Sequence, residues 1–152
     1  MRLENKVALI SGGARGMGAS EAKLFATEGA SVVIGDVLEE ERTTLESEIT
    51  ENGGRCISLH IDVTNEGDWE NAMKQALSHF GKIDILVNNA GGSISKTNIE
   101  ETSLDEFKAT FDLNVFGSFQ LMKLVIPNMK NQGWPCPVHL ALIAPILKLV
   151  YN

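Results

Sequence analysis

Apolar residues along this chain fall into short unbroken runs, separated by longer stretches in which they recur every three or four positions. The runs are Val7-Ala8-Leu9-Ile10, Ser31-Val32-Val33-Ile34-Gly35, Arg55 to Ile61, and Ile83-Asp84-Ile85-Leu86-Val87. Continuous rather than alternating apolarity predicts strands buried on both faces, as in a parallel sheet with helices above and below. Between the runs, Ala19 to Glu28 reads as a helix with Ala22, Leu24, Phe25 and Ala26 set to pack on a sheet, and Gly29 ends it. Val37 to Asn52 is Glu-rich and stops at Gly53-Gly54, which predicts a solvated helix with Leu45 and Ile49 turned inward. Glu66 to His79 carries Trp69, Ala72, Met73, Ala76, Leu77 and Phe80 at helical spacing, a stripe that suits a core, and Gly81 stops it. After a polar loop from Ser93 to Thr102, Thr102 or Ser103 caps a long helix reaching about Lys130. Phe107, Phe111, Val115 and Phe119 follow one another on it at i, i+4, and Leu104, Ala109, Phe116, Leu121 and Val125 widen the apolar surface. Such a helix has enough apolar surface to cover both a sheet and a second subunit.

Successive strand–helix units predict an α/β domain with an open parallel sheet wound on both faces. Ligands on open sheets of this kind bind at the carboxyl ends of the strands. Gly12 to Gly18, Asp36, Asp62 and Asn88 to Gly91 all occupy such ends, so the four clusters are expected to face one crevice. The first cluster joins strand to helix through Gly12, Gly13, Gly16 and Gly18. Residues without Cβ let the backbone approach a ligand closely, and the amides opening the helix favour a diphosphate. Asp36 ends the second strand twenty residues after Gly16, where a carboxylate accepts hydrogen bonds from an adenosine ribose diol. Asn114 lies in the middle of the long helix. Asn is a poor helix former, so it is either a tolerated exposed residue or one that hydrogen-bonds a specific partner.

Composition narrows the functional classes. The chain has 152 residues, 43% hydrophobic and 22% charged, which suits one globular domain. A formal charge of −7 and the lack of a basic stripe argue against nucleic-acid binding. Cys56 and Cys136 form no metal-ligand spacing, so no metal site is expected and both read as reduced cytosolic thiols. No apolar signal core precedes the first strand, and a cytoplasmic protein is expected. Val138 to Tyr151 holds eleven apolar residues in fourteen, interrupted by Pro145 and Lys148. That is short of the roughly twenty needed to span a bilayer, so no membrane partner is expected.

Ser11-Gly12-Gly13-Ala14-Arg15-Gly16-Met17-Gly18, Asp36, Asp62-Val63, Asn88-Asn89-Ala90-Gly91 and Leu113-Asn114-Val115 stand in that order. Together they resemble the short-chain dehydrogenase/reductase family, whose glycine motif is Thr-Gly-x-x-x-Gly-x-Gly. The resemblance runs from residue 1 to about 134 and implies a Rossmann-like, doubly wound domain over residues 1–134. It implies a nicotinamide cofactor held by Ser11, Gly12, Arg15, Gly16, Met17 and Gly18 at the turn, with Asp36 and Val37 at the adenosine ribose. Asp62 and Val63 would sit beside adenine, and Asn89, Ala90 and Gly91 would line the cofactor's middle. It further implies that Asn114 helps organise a proton-relay water, and that the reaction moves a hydride between nicotinamide and a small-molecule alcohol or ketone.

Arg15 is similar to the basic residue that NADP-preferring members set against a 2′-phosphate, but Asp36 would face that phosphate. Two like charges about 4 Å apart cost on the order of 1 kcal/mol even in water, so NAD is expected over NADP. Family members continue with a strand carrying a serine and then Tyr-x-x-x-Lys. This sequence has no serine after Ser118, and its only tyrosine, Tyr151, follows Lys148. Neither Tyr151 nor His139 meets the geometric demand on a general acid/base. The tail 135–152 is therefore expected to replace the catalytic region, leaving the sheet incomplete on its C-terminal side and catalysis impaired. The alternative is a catalytically inactive nucleotide-binding or dimerisation module built on the helix 103–130.

Overall fold

The computed structural model describes residues 1–94 and 98–133 and the backbone of 138–140. Its strands are β1 (Val7–Ser11), β2 (Ser31–Asp36), β3 (Arg55–His60), β4 (Ile85–Asn88) and β5 (Val138–Leu140), in the spatial order β3-β2-β1-β4-β5 and parallel throughout. Helices α1 (Gly16–Thr27), α2 (Glu39–Glu51) and α3 (Glu66–Phe80) connect the first four strands. The doubly wound sheet expected from the apolar runs is what the chain forms. Every residue of β1 and β2 is buried, and that two-sided burial is why these strands show no alternation.

Two cores flank the sheet. On one face Ala22 of α1 and Leu45 and Ile49 of α2 pack with Ile10, Val32, Ile34 and Val87. On the other, Trp69, Ala72, Met73 and Ala76 of α3 join Leu121, Val125 and Met129 against Val7, Leu9, Val33 and Leu86. Each fully buried aliphatic side chain contributes about 1.5–3 kcal/mol relative to exposure, so these layers fix where the strand ends lie.

Several local expectations are corrected. Leu24 does not pack on the sheet but is 52% exposed, because the inward stripe of α1 is narrow and Ala22 occupies its centre. Helix α1 opens at Gly16 rather than Ala19. Strand β4 begins at Ile85, not Ile83. Just before it, the Asp84 carboxylate accepts the Val7 amide at 2.8 Å and pairs with Lys82 at 2.8 Å, taking over the work of a ladder bond.

The long helix is also interrupted. It runs as α4 (Leu104–Phe111), one π-helical turn (Asp112–Phe116) and α5 (Gly117–Asn131). Ser103 is its cap: its hydroxyl accepts the Glu106 amide while the Glu106 carboxylate accepts the Ser103 amide. The Ser103 hydroxyl and amide hold that exposed carboxyl below the usual carboxylate range.

The backbone of β5 pairs with Leu86–Asn88 in parallel register, so this part of the tail continues the sheet. Cys136, Lys148, Tyr151 and the rest of the 135–152 reading lie outside the described residues. Among the described residues no helix is long and apolar enough to cross a membrane.

Candidate cofactor site

The carboxyl ends of β1, β2 and β4 are tied to one another by hydrogen bonds. From β4, the Asn89 side-chain amide donates to Gly12 O at 2.7 Å and Ser11 O at 3.2 Å. The Ser11 hydroxyl accepts the Ala90 amide at 3.2 Å and donates to Val87 O at 3.4 Å. From β2, Asp36 Oδ2 accepts the Ala14 amide at 3.0 Å, and Gly35 O accepts the Gly13 amide at 3.2 Å. Three clusters that are far apart in sequence therefore form one frame around the glycine turn.

Two glycines in that frame are required for close approach. A Cβ on Gly12 would lie 2.7 Å from Ala90 Cα, and Gly12 also takes a φ of +62°. On Gly18 a Cβ would strike Gly12 O and come within 2.5 Å of Asn89 Nδ2. Gly16 differs: its φ of +59° favours glycine, yet a Cβ there would meet nothing within 4 Å. The turn is thus sealed toward the protein at Gly12 and Gly18 and open at Gly16. Arg15, Gly16 and Met17 are exposed, Met17 by 61%, so on this side the start of α1 faces solvent.

The remaining sequence-predicted residues divide by role. Val37 is half exposed beside Asp36, on the rim. Asp62 Oδ1 is engaged by the Thr64 amide and hydroxyl at 2.8 and 2.7 Å, an Asx-type turn that closes β3. Val63 is buried, its carbonyl accepts the Trp69 indole N–H at 3.1 Å, and a Cβ on Gly117 would lie 2.8 Å from that same oxygen. Ser11 is 2% exposed and ties strands together beneath the turn rather than lining its surface.

Asn114 bonds specifically, which decides between the two readings of it. It is 4% exposed within the π-helical turn. Its Nδ2 donates to Gly92 O at 2.7 Å and Thr110 O at 2.6 Å, and its Oδ1 accepts the Gly92 amide at 3.1 Å. The side chain thus grips both sides of one backbone residue in the loop that follows β4. Thr110 adds a second clasp, its hydroxyl accepting the Ile94 amide at 3.3 Å. The sequence reading missed Thr110 and Gly92, although Thr110 lies one helical turn before Asn114 and so shares its face. Ser118 donates to Asn114 O at 3.1 Å, so the backbone carbonyl of Asn114 is engaged by a side chain as well.

Asn88, in register with Ser11 and 2% exposed, has neither amide atom paired among the described residues. It sits at the seam with the β5 backbone.

A doubly wound parallel sheet with a glycine-rich first turn and an acid closing the second strand defines a Rossmann-like α/β protein. The short chain dehydrogenase family model matches residues 6–135, and the chain belongs to that family. It is 43% identical to a trans-4-hydroxycyclohexanecarboxylate dehydrogenase of Sinomonas cyclohexanicum, covering 87% of this chain and 53% of that protein. With the 7alpha-hydroxysteroid dehydrogenase of Escherichia coli it shares 38% identity over 88% of this chain and 51% of the relative. Among solved structures, a 7α-hydroxysteroid dehydrogenase complexed with NADH and 7-oxo glycochenodeoxycholic acid superposes with a TM-score of 0.82 at 38% identity, covering 87% of this chain and 51% of that one. The chain spans about half the length of the curated relatives it matches.

Proposed function

We propose that this chain holds NAD(H) along the crevice and forms the cofactor half of an oxidoreductase acting on a small-molecule alcohol/ketone pair. The observation that carries this reading is the frame joining Asn89, Ser11, Gly12, Ala14 and Asp36, which fixes a glycine turn with its open side at Gly16. The residues suit a dinucleotide: small residues where Cβ atoms would intrude, exposed amides at a helix start for the diphosphate, and an acid for the ribose. The related structure with bound NADH supports the same cofactor class. When bound, a nicotinamide supplies a site that takes up or releases a hydride.

In this reading Gly16 and Met17 meet the diphosphate, Asp36 and Val37 the adenosine ribose, and Asp62 and Val63 the adenine side. Ala90 and Gly91 line the middle of the cofactor. Asn114 steadies the loop at Gly92 and helps to organise a relay water. A general acid/base for the alcohol proton has no counterpart among the described residues, none of which is tyrosine. This chain by itself is therefore expected to bind cofactor without sustained turnover. NAD is preferred because the Asp36 charge opposes a 2′-phosphate even with Arg15 nearby. We place the protein in the cytoplasm, where the buried Cys56 thiol stays reduced, and assign it a second copy of itself as partner through the exposed apolar face of α4 and α5.

Titration of the purified chain with NADH and NADPH, followed by cofactor fluorescence, tests the central claim. Saturable NADH binding with weaker NADPH binding is the expected result, and Asp36→Ala narrows the ratio between them. A soluble, folded sample with no saturable binding of either cofactor would overturn the assignment.

A further inference from the structure

Both carboxylate oxygens of Asp36 are already in use without any ligand. Oδ2 accepts the Ala14 amide at 3.0 Å and Oδ1 accepts the Leu38 amide at 3.1 Å, and the residue is only 8% exposed. Leu38 precedes α2 as its N-cap, and Ala14 lies inside the glycine turn, between Gly13 and Arg15. Arg15 is the N-cap of α1 and makes no side-chain capping bond. The N-cap of α1 thus supplies no capping oxygen, and a side-chain acceptor for the residue just before it comes across the sheet from β2.

We propose that Asp36 is a positioning residue for the glycine turn as well as the acceptor for a ribose, so that one carboxylate sets the turn in its anion-receiving shape before the cofactor arrives. The inference rests on the cofactor reading given above. An ionised carboxylate offers about four lone-pair positions, two of which are committed to Ala14 and Leu38, so two remain for a ribose diol. Charge-assisted bonds of this type are roughly twice as strong as neutral ones. Ordering the turn in the free protein removes that cost from the binding step. The consequence is specific: a substitution at Asp36 changes more than the choice between cofactors, because it also releases Ala14.

Asp36→Asn separates the two roles. An amide of the same shape still offers a ribose diol one acceptor and one donor, so a residue acting on the ribose alone tolerates the change. A brace does not, because the new NH2 group must face either the Ala14 or the Leu38 N–H, donor against donor. Inorganic pyrophosphate provides the matching probe, since it has no ribose for Asp36 to contact.

The experiment uses the full chain labelled with 15N and 13C. In the unsubstituted protein, a through-hydrogen-bond coupling between Ala14 N and Asp36 Cγ is expected, a readout that requires no variant to fold. In Asp36→Asn, exchange of the Ala14 or Leu38 amide is expected to quicken by about tenfold, the loss of one charge-assisted bond, and pyrophosphate is expected to weaken along with NADH. Absence of the coupling overturns the proposal, as does unchanged exchange at both amides. Unchanged pyrophosphate binding overturns it as well, whatever NADH does, since the turn would then keep its anion-receiving shape without the carboxylate. A protein that shows the coupling and the faster exchange but binds no NADH supports the brace and overturns the cofactor reading.

Discussion

At the scale of single residues, the two glycines of the turn that look equivalent in the sequence are different physical objects. Gly18 is needed for space and Gly16 for its φ. Alanine at Gly18 must displace the Gly12 carbonyl or the Asn89 amide and is expected to cost about 3 kcal/mol as overpacking. Alanine at Gly16 meets open space and pays only for a left-handed backbone, about 1 kcal/mol. Urea unfolding of the two variants measures both, and an equal or larger loss at Gly16 would refute the distinction. Cys56 gives a pH prediction. Burial pushes its thiol from 9.0 up to about 12, so the folded state favours the protonated form. Its contribution is fully present below pH 9 and is lost as pH rises toward 12, because the unfolded chain ionises first. Between pH 8 and 10 the urea midpoint of the natural protein should therefore fall faster than that of Cys56→Ala. Parallel curves would show that the thiol is not linked to folding.

At the scale of elements, what was legible was whatever local pattern alone decides. Continuous apolar runs gave β1 and β2 their burial, and Thr102 or Ser103 marked the start of the long helix, where the structure uses Ser103. Positions decided by distant partners were not legible: the start of β4 depends on the Asp84 carboxylate reaching Val7, and the inward stripe of α1 on how closely α1 lies to the sheet. The π-helical turn belongs to the same group. Nothing in Leu113-Asn114-Val115 announces it, because it exists where Asn114 grips Gly92 from across the crevice. Removing that grip with Asn114→Ala deletes three buried or half-buried bonds and is expected to cost about 2–3 kcal/mol, at about 1 kcal/mol each. Amide exchange at Gly92 and Ile94 should quicken in the same variant, and a stability loss without that local change would mean the loop is held by something else. Edge strand β3 has a comparable device. The Ser58 amide and hydroxyl donate to Glu46 at 2.9 and 2.6 Å, and Arg42 donates to Ser58 O at 3.4 Å. Side chains of α2 thus occupy outward backbone groups that a second strand would otherwise pair with. Glu46→Ala should lower stability by about 1 kcal/mol, discounted for partial exposure, and raise light scattering at high concentration. Unchanged scattering would show that the edge is protected by other means.

At the scale of the whole molecule, α4 and α5 divide their apolar residues between two directions. Leu121, Val125 and Met129 are fully buried against the sheet, whereas Leu104, Phe107, Phe116 and Phe119 are exposed by 66, 39, 56 and 57%. Sheet packing accounts for the first group only. The amount of apolar surface on this helix was readable in the sequence, but its division was not, since that depends on which side of the helix the sheet approaches. A partner of the same sequence would meet the patch with its own copy, so each exposed phenylalanine counts twice in a twofold interface. A chain of net charge −7 repels its copy, and added salt screens that repulsion while leaving apolar burial intact. The proposed self-association should therefore tighten as salt rises, the reverse of an interface held by ion pairs. Phe119→Glu places two carboxylates at the contact in an otherwise unperturbed fold. Sedimentation equilibrium is expected to show a dimer for the natural sequence and a monomer for the variant. At a concentration low enough to dissociate the dimer, thermal midpoints should stay close, because an exposed site away from the core shifts stability by only about 0.5 kcal/mol. A monomeric natural chain, or a dimer that loosens with salt, would remove this face as the interface. A monomer that still binds NADH would in addition show that the crevice is complete within one copy.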